Sequence, residues 1–323
     1  MTGARTAPHR LGWRRLLVLR PALVDFASRG FATEPAATRA HLEAAAGAFL
    51  DGFNAELATG PDDPPDLAAT PAPRRGFAAE GAAMATALLD AARPTGTRRT
   101  EALHAAYGDR YAYLLHVGSG WAMAKLHRRR LGRIGAPAPL LRWLAYDGKG
   151  FCEGFFAGPA RLGRWRRHAG PCSAVCEIEY QGLGRSLWFR ACGDPDRLAG
   201  LITAMPARHH GDLWSGAGLA AAYAGGVDAG AYGLLAERAN DHRAALAQGA
   251  AFAAEARRLG GDLTEQTDVA VRALAGAEAG EAAAWTWTAR EGLDGPSAGA
   301  STYREWRRRV QRLAAAAGAK DAA

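Results

Sequence analysis

Leu42-Glu-Ala-Ala-Ala-Gly-Ala-Phe-Leu-Asp-Gly-Phe-Asn-Ala-Glu-Leu57 places apolar side chains at 42, 46, 49, 50, 53 and 57. Intervals of three and four put them on one face, so the stretch predicts a helix that buries one side. Working outward, the same reading predicts helices over 77–92, ending before Pro94, and over 100–116, continuing through 120–130. Between the first two, Thr59–Arg75 holds five prolines and reads as a loop, with Asp62-Asp63-Pro-Pro as turn chemistry. After a break at 133–139, further helices are expected over 140–146, 196–205, 219–224, 231–248, 250–259, 264–275 and 303–317. Gly225-Gly226, Gly260-Gly261, Gly276 and Gly280 read as helix ends. The expectation is a mainly α protein, a single helical domain over 10–317 with C-terminal helical hairpins and flexible ends at 1–9 and 318–323.

The middle, Asp147 to Phe189, is dense in glycine: Asp147-Gly-Lys-Gly-Phe-Cys-Glu-Gly154 and Gln181-Gly-Leu-Gly-Arg-Ser-Leu-Trp-Phe189. Such density is expected to break regular elements and to let backbones approach closely.

The chain has 323 residues, 49% hydrophobic and 22% charged, the mix of a globular protein rather than a disordered one. The net charge is +8, and Lys125, Lys149 and Lys320 are the only lysines among 40 basic residues. Such arginine usage fits GC-rich coding, and no nucleic-acid motif accompanies it, so nucleic acid is not an expected partner. The arginine clusters at 127–133 and 161–167 read as solvated faces that could also meet an acidic partner. Four cysteines in this length read as separate buried thiols of a cytoplasmic protein, and Cys172-Ser-Ala-Val-Cys176 lacks the second pair a zinc site wants. No run reaches a membrane span. Residues 10–26 predict an amphipathic helix, packed on its own domain or lying peripherally at the inner face of the membrane.

Candidate chemistry comes from a few polar residues in apolar contexts. Glu80 and Glu153, each followed by glycine, are read either as general acid–base groups with raised pKa or as helix caps; Asp147 reads as a cap. His116 lies on an apolar segment, as a core residue or a catalytic one. His209-His210 with Asp212 offers metal ligands but would need others from elsewhere, and no metal site is assigned. Arg185, and Arg208 near Asp212, could take an anion such as a phosphopantetheine or carboxylate, or form buried ion pairs.

The chain resembles the bacterial enediyne biosynthesis proteins that carry the domain of unknown function 1702. The matching pieces are Arg29-Gly-Phe31, Phe77-Ala-Ala-Glu-Gly-Ala-Ala-Met84, Val117-Gly-Ser-Gly-Trp-Ala122, Asp147 to Phe155, Gln181 to Phe189, Asp212 to Gly226, Gln248-Gly-Ala-Ala-Phe252 and Tyr303-Arg-Glu-Trp306. Cys152 stands where relatives are expected to carry His. The resemblance implies an accessory protein of enediyne polyketide biosynthesis, acting on a hydrophobic polyene intermediate beside companion proteins, some in the membrane. It implies no named cofactor and no established catalytic residue. On that footing Glu80, His116, Glu153 and Arg185 are the candidate proton-transfer and anion-stabilising groups. Phe77, Trp121, Asp147, Phe151, Phe155, Gln181, Trp188, Arg208, Asp212 and Trp214 are the candidate binding residues. A non-catalytic carrier linking the synthase to membrane partners, and a metal-dependent oxygenase, are the competing readings.

Overall fold

A computed structural model describes residues 14–92, 98–127 and 138–321. They form α1 (Phe26–Arg29), α2 (Ala36–Ala58), α3 (Arg75–Ala91), α4 (Arg98–Lys125), α5 (Leu144–Phe155), α6 (Pro159–Arg166) and α7 (Ala174–Arg190). These are followed by α8 (Pro195–Thr203), α9 (His210–Ala224), α10 (Ala229–Ala239), α11 (Arg243–Gly260), α12 (Glu265–Ala275), α13 (Ala279–Arg290) and α14 (Ala300–Asp321). The domain is all-α, with no strand among the described residues. Asp194, Asp228 and Thr264 cap α8, α10 and α12, each accepting a backbone N–H three residues on. No helix among the described residues is long and apolar enough to cross a membrane.

The central glycines do not break helices. Gly148, Gly150 and Gly154 lie inside α5, and Gly182 and Gly184 inside α7. What they provide is close approach. A Cβ on Gly182 would lie 1.8 Å from the Asp147 carbonyl oxygen on α5, and one on Gly150 1.9 Å from the Glu179 carbonyl on α7. The same reciprocal pairing recurs along the chain: Gly52 with Gly81, Gly120 with Gly148, Gly184 with Gly216, and Gly218 with Gly249, where an added Cβ would lie 1.9–2.1 Å from neighbouring backbone. Helices α2, α3, α4, α5, α7, α9 and α11 therefore pack side by side in chain order, backbone against backbone. Their crossing glycines, at 52, 81, 118, 148, 182, 216 and 249, form an internal repeat of 29–37 residues. The row curls, so that side chains from α2, α3, α4, α5 and α7 meet around one pocket. Helices α12, α13 and α14 pack on α11 at the far end.

Other expectations are corrected locally. The described part of the predicted helix at 10–26 is two 3₁₀ turns, Arg14–Leu17 and Pro21–Leu23, with Leu16 87% exposed, because Pro21 interrupts it. Residues 10–13, and 128–133 of the arginine cluster, lie outside the described residues. The stretch 231–248 is two helices parted at Asn240, whose φ is +42°. Gly280 lies within α13 rather than ending a helix, and α14 runs on past Ala317 to Asp321.

Candidate functional site at Glu80 and Arg185

At five of the seven crossings the residue before the glycine is polar and buried. Glu80 precedes Gly81, Asp147 precedes Gly148, Gln181 precedes Gly182, Ser215 precedes Gly216 and Gln248 precedes Gly249. All five are buried. Arg185 donates to Asp147, and Gln181 Nε2 donates to the other Asp147 oxygen at 2.8 Å. Ser215 Oγ lies 3.5 Å from Gln181 Oε1 and donates to Gln248 Oε1 at 2.8 Å. Arg307 from α14 reaches Gln248 at 3.4 Å and pairs with Asp212 at 3.0 Å. Asp212 accepts from His209 Nδ1 at 3.1 Å. A buried polar row thus runs from α3 to the start of α9.

Glu80 stands at its apolar end. Its carboxylate accepts the Trp121 indole N–H at 2.8 Å and lies 3.8 Å from an Arg185 nitrogen. Burial pushes its pKa up to about 7; Arg185 and the Trp121 hydrogen bond pull it down, and Asp147 pushes it up. Near neutrality it can therefore hold or release a proton. Arg185 Nε has no hydrogen-bond partner among the described residues, and the guanidinium lies 4.9 Å from the Phe151 ring centre. Phe49, Phe77, Trp121, Phe151, Phe155, Phe156 and Phe189, with Val24, Ala46 and Leu50, line the pocket around the pair. Its free volume is about 30 Å³, little more than one water.

The structure brings together Glu80, Arg185, Asp147 and Gln181, with Phe77, Trp121, Phe151 and Phe155. The other candidates lie elsewhere. Asp147 is no cap: it sits inside α5 and is fully buried against Arg185. Glu80 lies inside α3 and Glu153 in the last turn of α5, so neither caps a helix N-terminus. His116 packs on His104 at 5.3 Å, and burial lowers its pKa to about 3, so the ring is neutral. Trp188 is core and donates to the Gly225 carbonyl at 3.2 Å. Trp214 is buried on α9 outside the pocket lining.

Glu153 faces an open cleft of about 510 Å³, with Lys149, Arg161, Arg164, Trp165 and Glu179. Lys149 pairs with Glu179 at 2.6 Å and Glu153 at 3.5 Å. Sequence reasoning missed Lys149 and Glu179, and also Ser215, Gln248 and Arg307. The signal for two of these was the recurring polar-Gly pair.

The cysteines correct another expectation. Cys152 and Cys192 are buried free thiols, but Cys172 and Cys176 form a disulfide. His168 and His209 adjoin it, one ligand atom from each of the four residues lying within 4.8 Å of the others. Arg208 donates to the His168 carbonyl and to His209 Nε2, at 3.2 Å for the latter.

The family model described as "Protein of unknown function (DUF1702)" matches residues 10–314. The chain belongs to that family. No curated protein and no solved structure matches it. The DUF1702 region takes in every crossing glycine, the whole polar row, the aromatic pocket and the cysteine–histidine cluster.

Proposed function

We propose that this DUF1702 protein is an accessory protein of enediyne polyketide biosynthesis that receives a hydrophobic polyene intermediate and moves a proton on it during core maturation. The observation that carries the reading is Glu80: a carboxyl held near neutral pKa, walled by seven aromatic rings and facing a guanidinium. Conjugated chains are apolar and polarisable, and flat aromatic walls suit them. Protonation or deprotonation of such a chain builds charge along it. Glu80 takes the proton, and Arg185, whose Nε has no hydrogen-bond partner among the described residues, stabilises the anion left on the chain. The ligand enters by displacing rim side chains, since the pocket as it stands holds little more than a water.

The test is deletion of the gene in a producing strain, with mass spectrometry of accumulated polyenes and complementation by wild type or Glu80→Gln at matched levels. Wild type restores the product. Glu80→Gln lowers it by about 10²–10⁴-fold, the usual contribution of general acid–base catalysis. Full restoration by Glu80→Gln removes the proton-transfer role. A deletion that changes no polyketide metabolite removes the enediyne assignment.

A further inference from the structure

The loop after α6, the first turn of α7 and the turn before α9 converge on four side chains: His168, Cys172, Cys176 and His209. His209 Nε2 lies 3.3 Å from the Cys172 sulfur and 3.9 Å from the Cys176 sulfur, and His168 Nδ1 lies 3.8 Å from the Cys176 sulfur. A tetrahedral zinc with Zn–S of about 2.3 Å and Zn–N of about 2.0 Å separates its ligand atoms by about 3.5 Å. The nitrogen–sulfur distances are already at that scale. His209 is also prepared as a ligand. Its Nδ1–H is held by the Asp212 carboxylate at 3.1 Å, and its ring stacks on Tyr180 at 3.7 Å. A carboxylate behind a histidine fixes the tautomer and aims the other nitrogen's lone pair, as in zinc sites generally. That lone pair now accepts from Arg208 Nε, an exposed side chain also bonded to the His168 and Gly170 carbonyls, which must swing aside for a metal to bind.

We propose that this cluster is a structural zinc site of two thiolates and two imidazoles, and that the Cys172–Cys176 disulfide is its metal-free, oxidised state. Conversion needs a thiol or phosphine reductant. Two electrons and two protons open the S–S bond to two thiols, and the reductant is oxidised to its disulfide or phosphine oxide. Binding of Zn²⁺ then releases the two thiol protons to solvent. Two sulfurs and two nitrogens suit Zn²⁺ over harder cations. Four protein ligands close the coordination sphere, which marks a structural role and leaves no position for oxygen. The ion would bind the α6–α7 connection to the base of α9, in the wall of the open cleft and at the far end of the polar row from Glu80.

The full-length protein is purified in two forms, reduced with a phosphine and air-oxidised. Each is incubated with ZnSO₄, desalted and assayed for metal by mass spectrometry and for free thiols. The expected result is one zinc per chain in the reduced form and none in the oxidised form. Co²⁺ in place of zinc should give thiolate charge-transfer and tetrahedral d–d absorption. Cys172→Ser/Cys176→Ser, checked for helicity by circular dichroism, should bind none, and Asp212→Asn should weaken binding about 10–100-fold. Zinc absent from the reduced wild type overturns the proposal. So does equal zinc in the oxidised form or the double variant, or stoichiometric iron in the protein as isolated. The metal readout is independent of polyene chemistry and stands or falls apart from the reading of Glu80.

Discussion

Gly182→Ala tests the backbone-to-backbone packing on which the fold rests. The added methyl would meet the Asp147 carbonyl oxygen at 1.8 Å, its carbon at 2.7 Å and the Phe151 nitrogen at 2.8 Å, all main chain of α5. A carbon needs about 3.3 Å or more from such atoms, so α5 and α7 must part by about 1.5 Å. No side chain can absorb that movement. Overpacking costs about 1–3 kcal/mol where side chains can adjust, and this site belongs at or above the top of that range. Parting the helices also stretches the Asp147–Arg185 and Asp147–Gln181 hydrogen bonds, worth about 1.5–3 kcal/mol where a charge is involved. Alanine returns about 1 kcal/mol of helix propensity. The net loss is about 3–5 kcal/mol, a large part of a typical stability of about 5–15 kcal/mol. Gly47→Ala in α2 and Gly233→Ala in α10 are the controls. Nothing lies within 4 Å of the Cβ at either, and each should gain up to about 1 kcal/mol. Gly154→Ala, whose methyl meets chiefly the Ser186 and Leu183 side chains, should fall between. Urea unfolding followed by circular dichroism ranks the four. A Gly182→Ala midpoint at or above wild type, with unchanged slope, refutes the packing account.

Three further outcomes are expected. Glu80 has a folded pKa of about 7 against an ordinary 4.5, so the native state holds the proton more tightly. Its stabilisation is complete below pH 4.5 and is lost as pH rises through 7, by about 3 kcal/mol; Glu80→Gln should flatten the difference between urea midpoints at pH 5 and 8. Glu56, raised the same way to about 7 by burial beside Arg99, leaves a residual slope in that variant. Arg99→Met removes one half of the buried Arg99–Glu56 pair and should cost about 3–5 kcal/mol, while Arg99→Met/Glu56→Met should recover most of it; a double variant no better than the single one contradicts the pairing. Phe156→Ala should speed uptake of a conjugated tetraene fatty acid, read by quenching of Trp121 fluorescence, and an unchanged rate places the entrance elsewhere.

The helical class was legible where large apolar residues mark one face, as in Leu42–Leu57. It was not legible in α7, where Gln181 to Phe189 is buried on every side and no amphipathic period exists. There the glycines dominate the local reading, because a glycine costs a helix about 1 kcal/mol and normally argues against one. What offsets that cost is contact with another helix, which a single segment cannot display. The spacing of 29–37 residues is present in the sequence, but it becomes a repeat only once the glycines are read as crossings instead of breaks. With that change the preceding residues Asp147, Gln181, Ser215 and Gln248 fall into one row. Arg185 was legible as a candidate, but its pairing with Asp147 and its approach to Glu80 were not, since they depend on how the helices are arrayed.

That array also limits how the aromatic pocket can work. Five of the helices around it touch through main-chain atoms at glycine crossings, and rigid backbones in contact cannot slide apart to admit a ligand. Opening is therefore confined to the lining that is not held by a crossing, Val24 in the N-terminal segment and Phe156 just past the end of α5. Phe156 is held there by charge against its ring, Lys125 at 4.1 Å and Arg29 at 4.9 Å. Such contacts are worth about 0.5–2 kcal/mol each, small enough to exchange for an apolar chain. The glycine packing that holds these helices together thus also confines the pocket's entrance to one side, beside the cations that keep it shut.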